Sequence, residues 1–353
     1  MTLASFCHRF LAAGVTAFCG LLGASGAAVA QSAEAFYTSR QNMTLLVGSA
    51  AGGSYDVYAR AAGRFFSKYL PGHPTFVTNN MPGGGGMRAA NYLYNVAPKD
   101  GSVIAIIARA LPTAPMLYGE ASKAQFEATK FNWLGSLVKE MGMGAVSLKA
   151  PATTLADMRN TEIVLGASGP ESDGAMYARL FNTLLGTKFK VIAAYPGQTE
   201  TLNAVEKGEV HGLFLSGWSG SGRAFVKDKV AAGEWKTFVQ MSLEKDPEHA
   251  DTPTIMEVIT DPQDQEVLRF LFGRQILGQP FAAPPGVPDD RIAMLRDAFR
   301  KAVDDPGMRD ELERQRFSLS PVYGEDAQKI MGELYATQPD VIKRAQMLVK
   351  AGL

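Results

Sequence analysis

Two glycine-rich stretches hold the residues best placed to do chemistry. The first is Val47-Gly48-Ser49-Ala50-Ala51-Gly52-Gly53-Ser54-Tyr55-Asp56, an apolar run that breaks on paired glycines and continues into the helix-like Val57-Tyr58-Ala59-Arg60. The second is Asn79-Asn80-Met81-Pro82-Gly83-Gly84-Gly85-Gly86-Met87-Arg88, which follows Thr75-Phe76-Val77-Thr78 and opens onto Ala89-Ala90-Asn91-Tyr92-Leu93. A strand that stops at glycines and restarts as a helix leaves N–H groups free at the helix N-terminus, where an anion is also favoured by the helix dipole. Glycine lets the backbone come close to such a ligand. Two neighbouring corners of this kind predict one anion-binding cleft. Asp56 fits a helix start better than a ligand contact, because a bare carboxylate would repel an anion.

Reactive constellations are sparse by comparison. Beyond residue 30 the histidines are His73, His211 and His249, and none is spaced i, i+4 from another or set in a His-Glu-x-x-His arrangement. With no cysteine in the same region, a zinc site is not expected. Gly166-Ala167-Ser168-Gly169-Pro170 and Gly217-Trp218-Ser219-Gly220-Ser221 each lack the last glycine of a nucleophile elbow, so a secreted α/β hydrolase has little support. The glycines 83–86 lack dinucleotide spacing and a Gly-Lys-Ser/Thr ending, which argues against NAD and nucleoside triphosphates. Neither a cofactor nor a metal is expected.

The corners need a frame, and the hydrophobic pattern predicts one. Short apolar runs alternate with longer amphipathic ones over residues 43–48, 57–69, 75–78, 87–96 and 102–108, which implies βαβ units around a mostly parallel sheet covered on both faces. A second series after residues 131–134 runs through strand 162–166, helix 174–185, strand 189–194, helix 199–207 and strands 210–215 and 236–241. Two α/β series without a Ser/Gly-rich linker predict two close-packed lobes with a ligand crevice between them. Pro284-Pro285-Gly286-Val287-Pro288 is a stiff connector, and Asp289 or Asp290 can cap the helix beyond it. Ile292, Leu295, Phe299 and Val303 form one buried stripe of that helix, which Asp305-Pro306-Gly307 ends. Shorter helices follow over 327–335 and 341–350, and residues 31–40 read as a loose N-terminus.

Composition narrows the partners. The 353 residues carry equal numbers of acidic and basic side chains with no Lys/Arg cluster, so nucleic acid is not expected as a partner. The first 30 residues differ from the rest: His8 and Arg9 precede a small-residue apolar run that ends in Ala28-Val29-Ala30. This predicts a secretory signal cleaved after Ala30. Both cysteines, Cys7 and Cys19, lie inside it, leaving an exported chain without thiols or disulfides.

The glycine corners also carry a resemblance. Gly52-Gly53-Ser54-Tyr55-Asp56-Val57-Tyr58-Ala59-Arg60, Asn80-Met81-Pro82-Gly83-Gly84-Gly85-Gly86 and Ala97-Pro98-Lys99-Asp100-Gly101 resemble, in order and spacing, the substrate-binding proteins of tripartite tricarboxylate transporters, the Bug receptors. Tyr195-Pro196-Gly197 with Gly208-Glu209-Val210, Asp251-Thr252-Pro253-Thr254 and Ala283-Pro284-Pro285-Gly286-Val287-Pro288 continue it over nearly all of the mature chain. The chain departs from the family at Gly169-Pro170-Glu171-Ser172-Asp173-Gly174, a loose match to a Gly-x-Gly-Ser loop, and at Gly278-Gln279-Pro280-Phe281, where Trp-x-Gly is usual.

The resemblance implies an α/β chain of the type II periplasmic binding-protein fold, with two lobes joined by two crossing strands around a ligand cleft. The implied division is signal 1–30, first lobe 31–138, second lobe 139–277, and a return to the first lobe over 278–353. It implies a monomeric periplasmic receptor without catalytic activity, which captures a small organic acid and delivers it to the integral-membrane subunits of a tripartite tricarboxylate-type transporter. The same fold serving a sensor protein or another transporter class is the nearest alternative. Carried onto this sequence, one carboxylate falls between Gly53, Ser54 and Tyr55 on one side and Gly84, Gly85 and Gly86 on the other. From the second lobe Ser172, Asp173, Tyr195, Gly197 and Trp218 lie on loops that can meet the far end, although packing explains Tyr195 and Trp218 equally well. Arg109 ends strand 103–108, where α/β sheets place ligands, and either takes a second carboxylate or forms a surface ion pair.

Overall fold

The computed structural model describes residues 31–169, 172–195 and 197–350, the side chain of Ser221 excepted. The expected signal segment with Cys7 and Cys19 lies outside the described residues, as do Pro170, Glu171 and Pro196. In chain order the strands are β1 (Asn42–Val47), β2 (Thr75–Asn80), β3 (Val103–Ile106), β4 (Asn132–Ser136), β5 (Gly142–Ser147) and β6 (Ile163–Gly166). They continue with β7 (Phe189–Ile192), β8 (Gly212–Leu215), β9 (Trp235–Met241), β10 (Pro280–Ala283) and β11 (Val322–Tyr323).

Two sheets result, in the orders β11-β4-β10-β3-β1-β2 and β7-β6-β8-β5-β9. Both are mixed rather than mostly parallel. β2, β1 and β3 run parallel in the first sheet, and β7, β6 and β8 in the second, each being a βαβ product of the kind the pattern predicts. β10 runs antiparallel to β3 and β4, and β5 antiparallel to β8 and β9. The reversal has a simple cause. These strands belong to the segments by which the chain leaves one sheet for the other, and no helix intervenes to restore the parallel direction.

The crossings lie side by side between Leu137 and Met141 and between Gln275 and Gln279. The Leu137 N–H donates to the Gln279 carbonyl at 3.2 Å, the Gly278 N–H to Val138 at 2.9 Å, and the Glu140 N–H to Gln275 at 2.8 Å. A third stretch joins them, since Lys139 donates to the Ser320 carbonyl at 3.0 Å and Ser320 to that of Leu137 at 3.1 Å.

Helix Ser54–Tyr69 and helix Asp289–Asp304 pack together on one face of the first sheet, and the predicted stripe Ile292, Leu295, Phe299 and Val303 is buried there. The other face is covered by helices Met87–Asn95 and Gly324–Tyr335, with Trp133 fully buried and its indole donating to the Ala128 carbonyl. Helix Asp173–Leu185 covers the second sheet through Tyr177 and Phe181. The fold is therefore two α/β lobes, as the resemblance implies.

Two local expectations change. Residues 31–40 are not loose: Ser32 caps helix Ala33–Thr38, Tyr37 is fully buried, and Arg40 and Arg291 stack over the Phe36 ring at 4.2 and 3.7 Å. Asp305 ends one helix but caps the next, Pro306–Arg314, at once. The last helix, Pro339–Lys350, packs on helices Pro262–Gly273, Asp173–Leu185 and Ala114–Tyr118, burying Ala345, Leu348 and Val349.

Candidate functional site

Both glycine corners sit at the carboxyl ends of adjacent parallel strands. β1 ends at Val47, just before Gly48 and Ser49, and β2 ends at Asn80. Asp56 ties the two together from behind. It is buried, accepts from the Gly52 N–H and Arg60 Nε, both at 2.9 Å, and takes the Asn80 amide on its other oxygen at 2.9 Å. Asn80 also donates to the Ser49 carbonyl at 3.0 Å. One carboxylate thus fixes both turns, which is the helix-start role expected of it. Burial raises the pKa of the Asp56 carboxyl, but the Arg60, Gly52 and Asn80 hydrogen bonds outweigh this and hold it below its ordinary value.

The sign of this shift sets how stability depends on pH. A carboxylate with a depressed folded pKa stabilises the protein above its unfolded pKa and ceases to as pH falls through the folded value. The wild type should exceed Asp56→Asn by about 1–3 kcal/mol at pH 7, with the gap closing below about pH 4. Thermal melts of both proteins across that range check it, and a gap independent of pH would refute the network.

The second corner is a run in which only glycine is at ease. Gly83, Gly84, Gly85 and Gly86 take φ of 136°, 58°, 62° and 97° before helix Met87–Asn95 begins. The bonds of this turn run from Gly86 and Arg88 to the Gly83 carbonyl and from Met87 to the Gly84 carbonyl, leaving the Gly84 and Gly85 N–H groups outside them. The corners nearly touch. A Cβ on Gly48 would lie 2.8 Å from the Gly86 Cα.

Between them is a cavity of about 320 Å³ lined by Gly48, Ser49, Tyr55, residues 82–86, Ile106 and Ala108. The Ser49 hydroxyl is buried with no hydrogen-bond partner. Tyr55 accepts the Arg109 N–H on its phenol oxygen at 3.0 Å, so its own O–H remains free to donate. The lining therefore presents two hydroxyls and backbone amides, and no cationic side chain. Such a site suits a carboxylate-sized anion held by neutral donors.

Of the expected residues, Tyr55, Gly84, Gly85 and Gly86 come together here. Gly53 and Ser54 are exposed at the start of helix Ser54–Tyr69, outside the lining. Gly48, Ser49, Ile106 and Ala108 were missed. The signal for the first two was their place at the end of an apolar run, ahead of the paired glycines.

The second-lobe residues divide. Ser172 caps helix Asp173–Leu185, with its hydroxyl accepting from Ala175 and donating to the Gly169 carbonyl. Asp173 accepts from Arg274 Nη2 at 3.1 Å and lies 3.5 Å from Arg109 Nη2. Tyr195 packs against Gly166 and the core beside β8, and Gly197 begins helix Gln198–Glu206. Trp218 is 3% exposed and set edge-on to His249 at 5.0 Å, with its indole N–H buried without a partner.

Arg109 crosses from the first lobe to the second. Its Nη2 also donates to the Ser216 carbonyl at 2.7 Å. Burial works against its charge, yet the oxygens of Tyr55, Asp173 and Glu140 outweigh it and hold the guanidinium above its ordinary pKa. Glu140, in the first crossing, was also missed. It is 6% exposed and accepts the N–H groups of Met141, Trp218 and Ser219 at 3.1, 2.6 and 2.9 Å, together with the Ser219 hydroxyl. Ser219 is one of the two serines, with Ser168, that a hydrolase could use as nucleophile, and its hydroxyl is held by a buried carboxylate instead of a histidine. His211, for its part, accepts the Val164 N–H within the sheet.

Known proteins share the family or the fold. The UPF0065 protein in the gbd 5' region of Cupriavidus necator is 26% identical over 336 residues, covering 90% of each chain. A TctC solute-binding protein from Polaromonas, solved without ligand, is 24% identical with a TM-score of 0.65 over 87% of this chain and 99% of its own. MatC from Rhodopseudomonas palustris, solved with bound malate, is 21% identical with a TM-score of 0.59 over 88% of this chain and 99% of its own. These structures share the two-lobe periplasmic binding-protein fold. No helix among the described residues is long and apolar enough to cross a membrane. The sequence model of the tripartite tricarboxylate transporter family receptors matches residues 59–351, and the chain belongs to that family of solute-binding receptors, which are not enzymes.

Proposed function

We propose that the protein is a periplasmic receptor that captures a small organic acid in the cavity between its glycine corners and delivers it to the membrane subunits of a tripartite tricarboxylate-type transporter. The signal expected over residues 1–30 would export it, and it would act as a monomer. The ligand's carboxylate lies against the Ser49 and Tyr55 hydroxyls and the Gly84 and Gly85 amides, with Gly86 as the close wall. Ligand favours the closed arrangement of the lobes by its differential affinity for it. Micromolar binding requires about 8 kcal/mol. Several hydrogen bonds to a charged group at about 1.5–3 kcal/mol each supply a large part of that.

The observation that carries this reading is the Ser49 hydroxyl, buried at the cavity wall without a partner. Native proteins pair nearly all such groups, so an unpaired hydroxyl on a residue that lines a cavity supports a ligand acceptor. Ser49→Ala should weaken carboxylate binding by about 10- to 100-fold and leave the melting temperature of the free protein unchanged, since no internal bond is lost. Calorimetry and thermal melts on both proteins test it. If no mono-, di- or aromatic carboxylate shifts the wild-type melt, or if Ser49→Ala binds as well as wild type, the cavity is not the site.

A further inference from the structure

Arg109, Asp173 and Arg274 meet beside the cavity, and Glu140 is near enough to act on the charge of Arg109. Arg109 follows directly on the lining residue Ala108, and its side chain reaches Ser216 and Asp173 in the second lobe. Asp173 divides its oxygens between Arg109 at 3.5 Å and Arg274 at 3.1 Å. The Arg109 and Arg274 side chains are only 13% and 7% exposed. Glu140 completes the group from the crossing, through its grip on the loop after Ser216. Two cations and two anions sum to zero before any ligand arrives.

The Tyr55 oxygen accepts the backbone N–H of Arg109, which sets the first residue of this cluster beside the cavity, so the far end of an acid held at Tyr55 can reach it. A second carboxylate there would give up water without finding an unmatched positive charge, a cost that Coulomb attraction offsets only when a counter-charge is free. We propose that Asp173 is the specificity-determining residue of the receptor: an internal carboxylate that occupies Arg109 and Arg274, so that the site favours acids with an uncharged distal end over dicarboxylates. This rests on the carboxylate reading of the cavity. It also changes the role expected for Arg109, whose carboxylate partner comes from the chain itself.

The test measures affinities of matched acids, butyrate against succinate and hexanoate against adipate, by calorimetry on the full mature protein. Wild type should favour the monoacid of each pair. Asp173→Asn should move the ratio toward the diacid by about tenfold or more. Asp173→Glu should keep the wild-type ratio, and adding Arg109→Gln to Asp173→Asn should cancel the gain. Because Asp173→Asn leaves the buried Arg274 without its partner, Asp173→Asn/Arg274→Gln is measured beside it. A ratio unchanged in both Asp173→Asn proteins, with binding intact, overturns the proposal alone. So does a wild type that prefers the diacids. A wild type that binds none of the four acids fails the cavity reading and takes this proposal with it.

Discussion

Gly48→Ala should abolish carboxylate binding while leaving the chain folded. The added Cβ would stand 2.8 Å from the Gly86 Cα and 3.4 Å from its carbonyl oxygen. Those are backbone atoms held by a left-handed turn, so no side chain can swing aside to make room. The second corner has to move outward, and with it the amides of Gly84 and Gly85. Overpacking of this sort costs about 1–3 kcal/mol of stability, which a two-lobed protein of this size survives. A binding site tolerates the same displacement far less well, because hydrogen bonds to a carboxylate weaken steeply once donors shift and tilt. A loss of at least about 100-fold is expected, equivalent to about 2.7 kcal/mol.

The control is Gly52→Ala. Gly52 also has a left-handed φ of 85°, but nothing lies within 4 Å of the added methyl and it does not line the cavity. It incurs backbone strain of about 1–2 kcal/mol and should retain binding. Calorimetry with one tight-binding acid on the two variants decides the matter. Equal losses in both would mean that strain in the first turn, and not closure of the corner, controls affinity.

The corners were legible because glycine is a local signal: a run of residues without Cβ, set between an apolar strand and an amphipathic helix, specifies a tight turn whatever surrounds it. Asp56 was legible for the same reason, as a helix-start acid four residues past Gly52. Ser49 was not, since an unpaired hydroxyl is a property of the folded cavity and a serine in a turn has no sequence mark to set it apart. Trp218 could not be assigned from its loop position, because its edge-on packing against His249 is a property of the folded chain. The helix Ala33–Thr38 escaped because it is little more than a turn and a half, and stability at that length comes from Phe36 and Tyr37 meeting residues such as Arg291 far along the chain. The sheets read as parallel for a related reason. Periodicity reports a strand and its burial but says nothing about direction when the chain passes from one lobe to the other without a helix.

Glu140 is the largest of these non-local features, and its removal should have the largest effect on stability. Glu140→Ala would leave the N–H groups of Met141, Trp218 and Ser219 and the Ser219 hydroxyl without their acceptor in a buried setting. Leaving one buried donor unmatched costs about 1–3 kcal/mol. Partial relaxation and entry of water limit the sum, so a loss of about 3–5 kcal/mol is expected, or a melting temperature lower by about 10 °C for a chain of this length. Glu140→Gln keeps the shape and one acceptor oxygen, and should lose less than half as much. The two variants also separate stability from function. The loop that Glu140 grips begins at Ser216, whose carbonyl anchors Arg109 across the cleft. Loosening it should release the second-lobe side of the site while the glycine corners, some distance away on the first sheet, stay formed. Glu140→Gln should therefore still bind acids, but with a faster off-rate and weaker discrimination between the mono- and diacids of each pair. Stopped-flow dissociation beside the thermal melts would show this. A variant that melts lower yet keeps both the wild-type off-rate and the wild-type ratio would confine Glu140 to holding the crossing together, with no reach to the ligand.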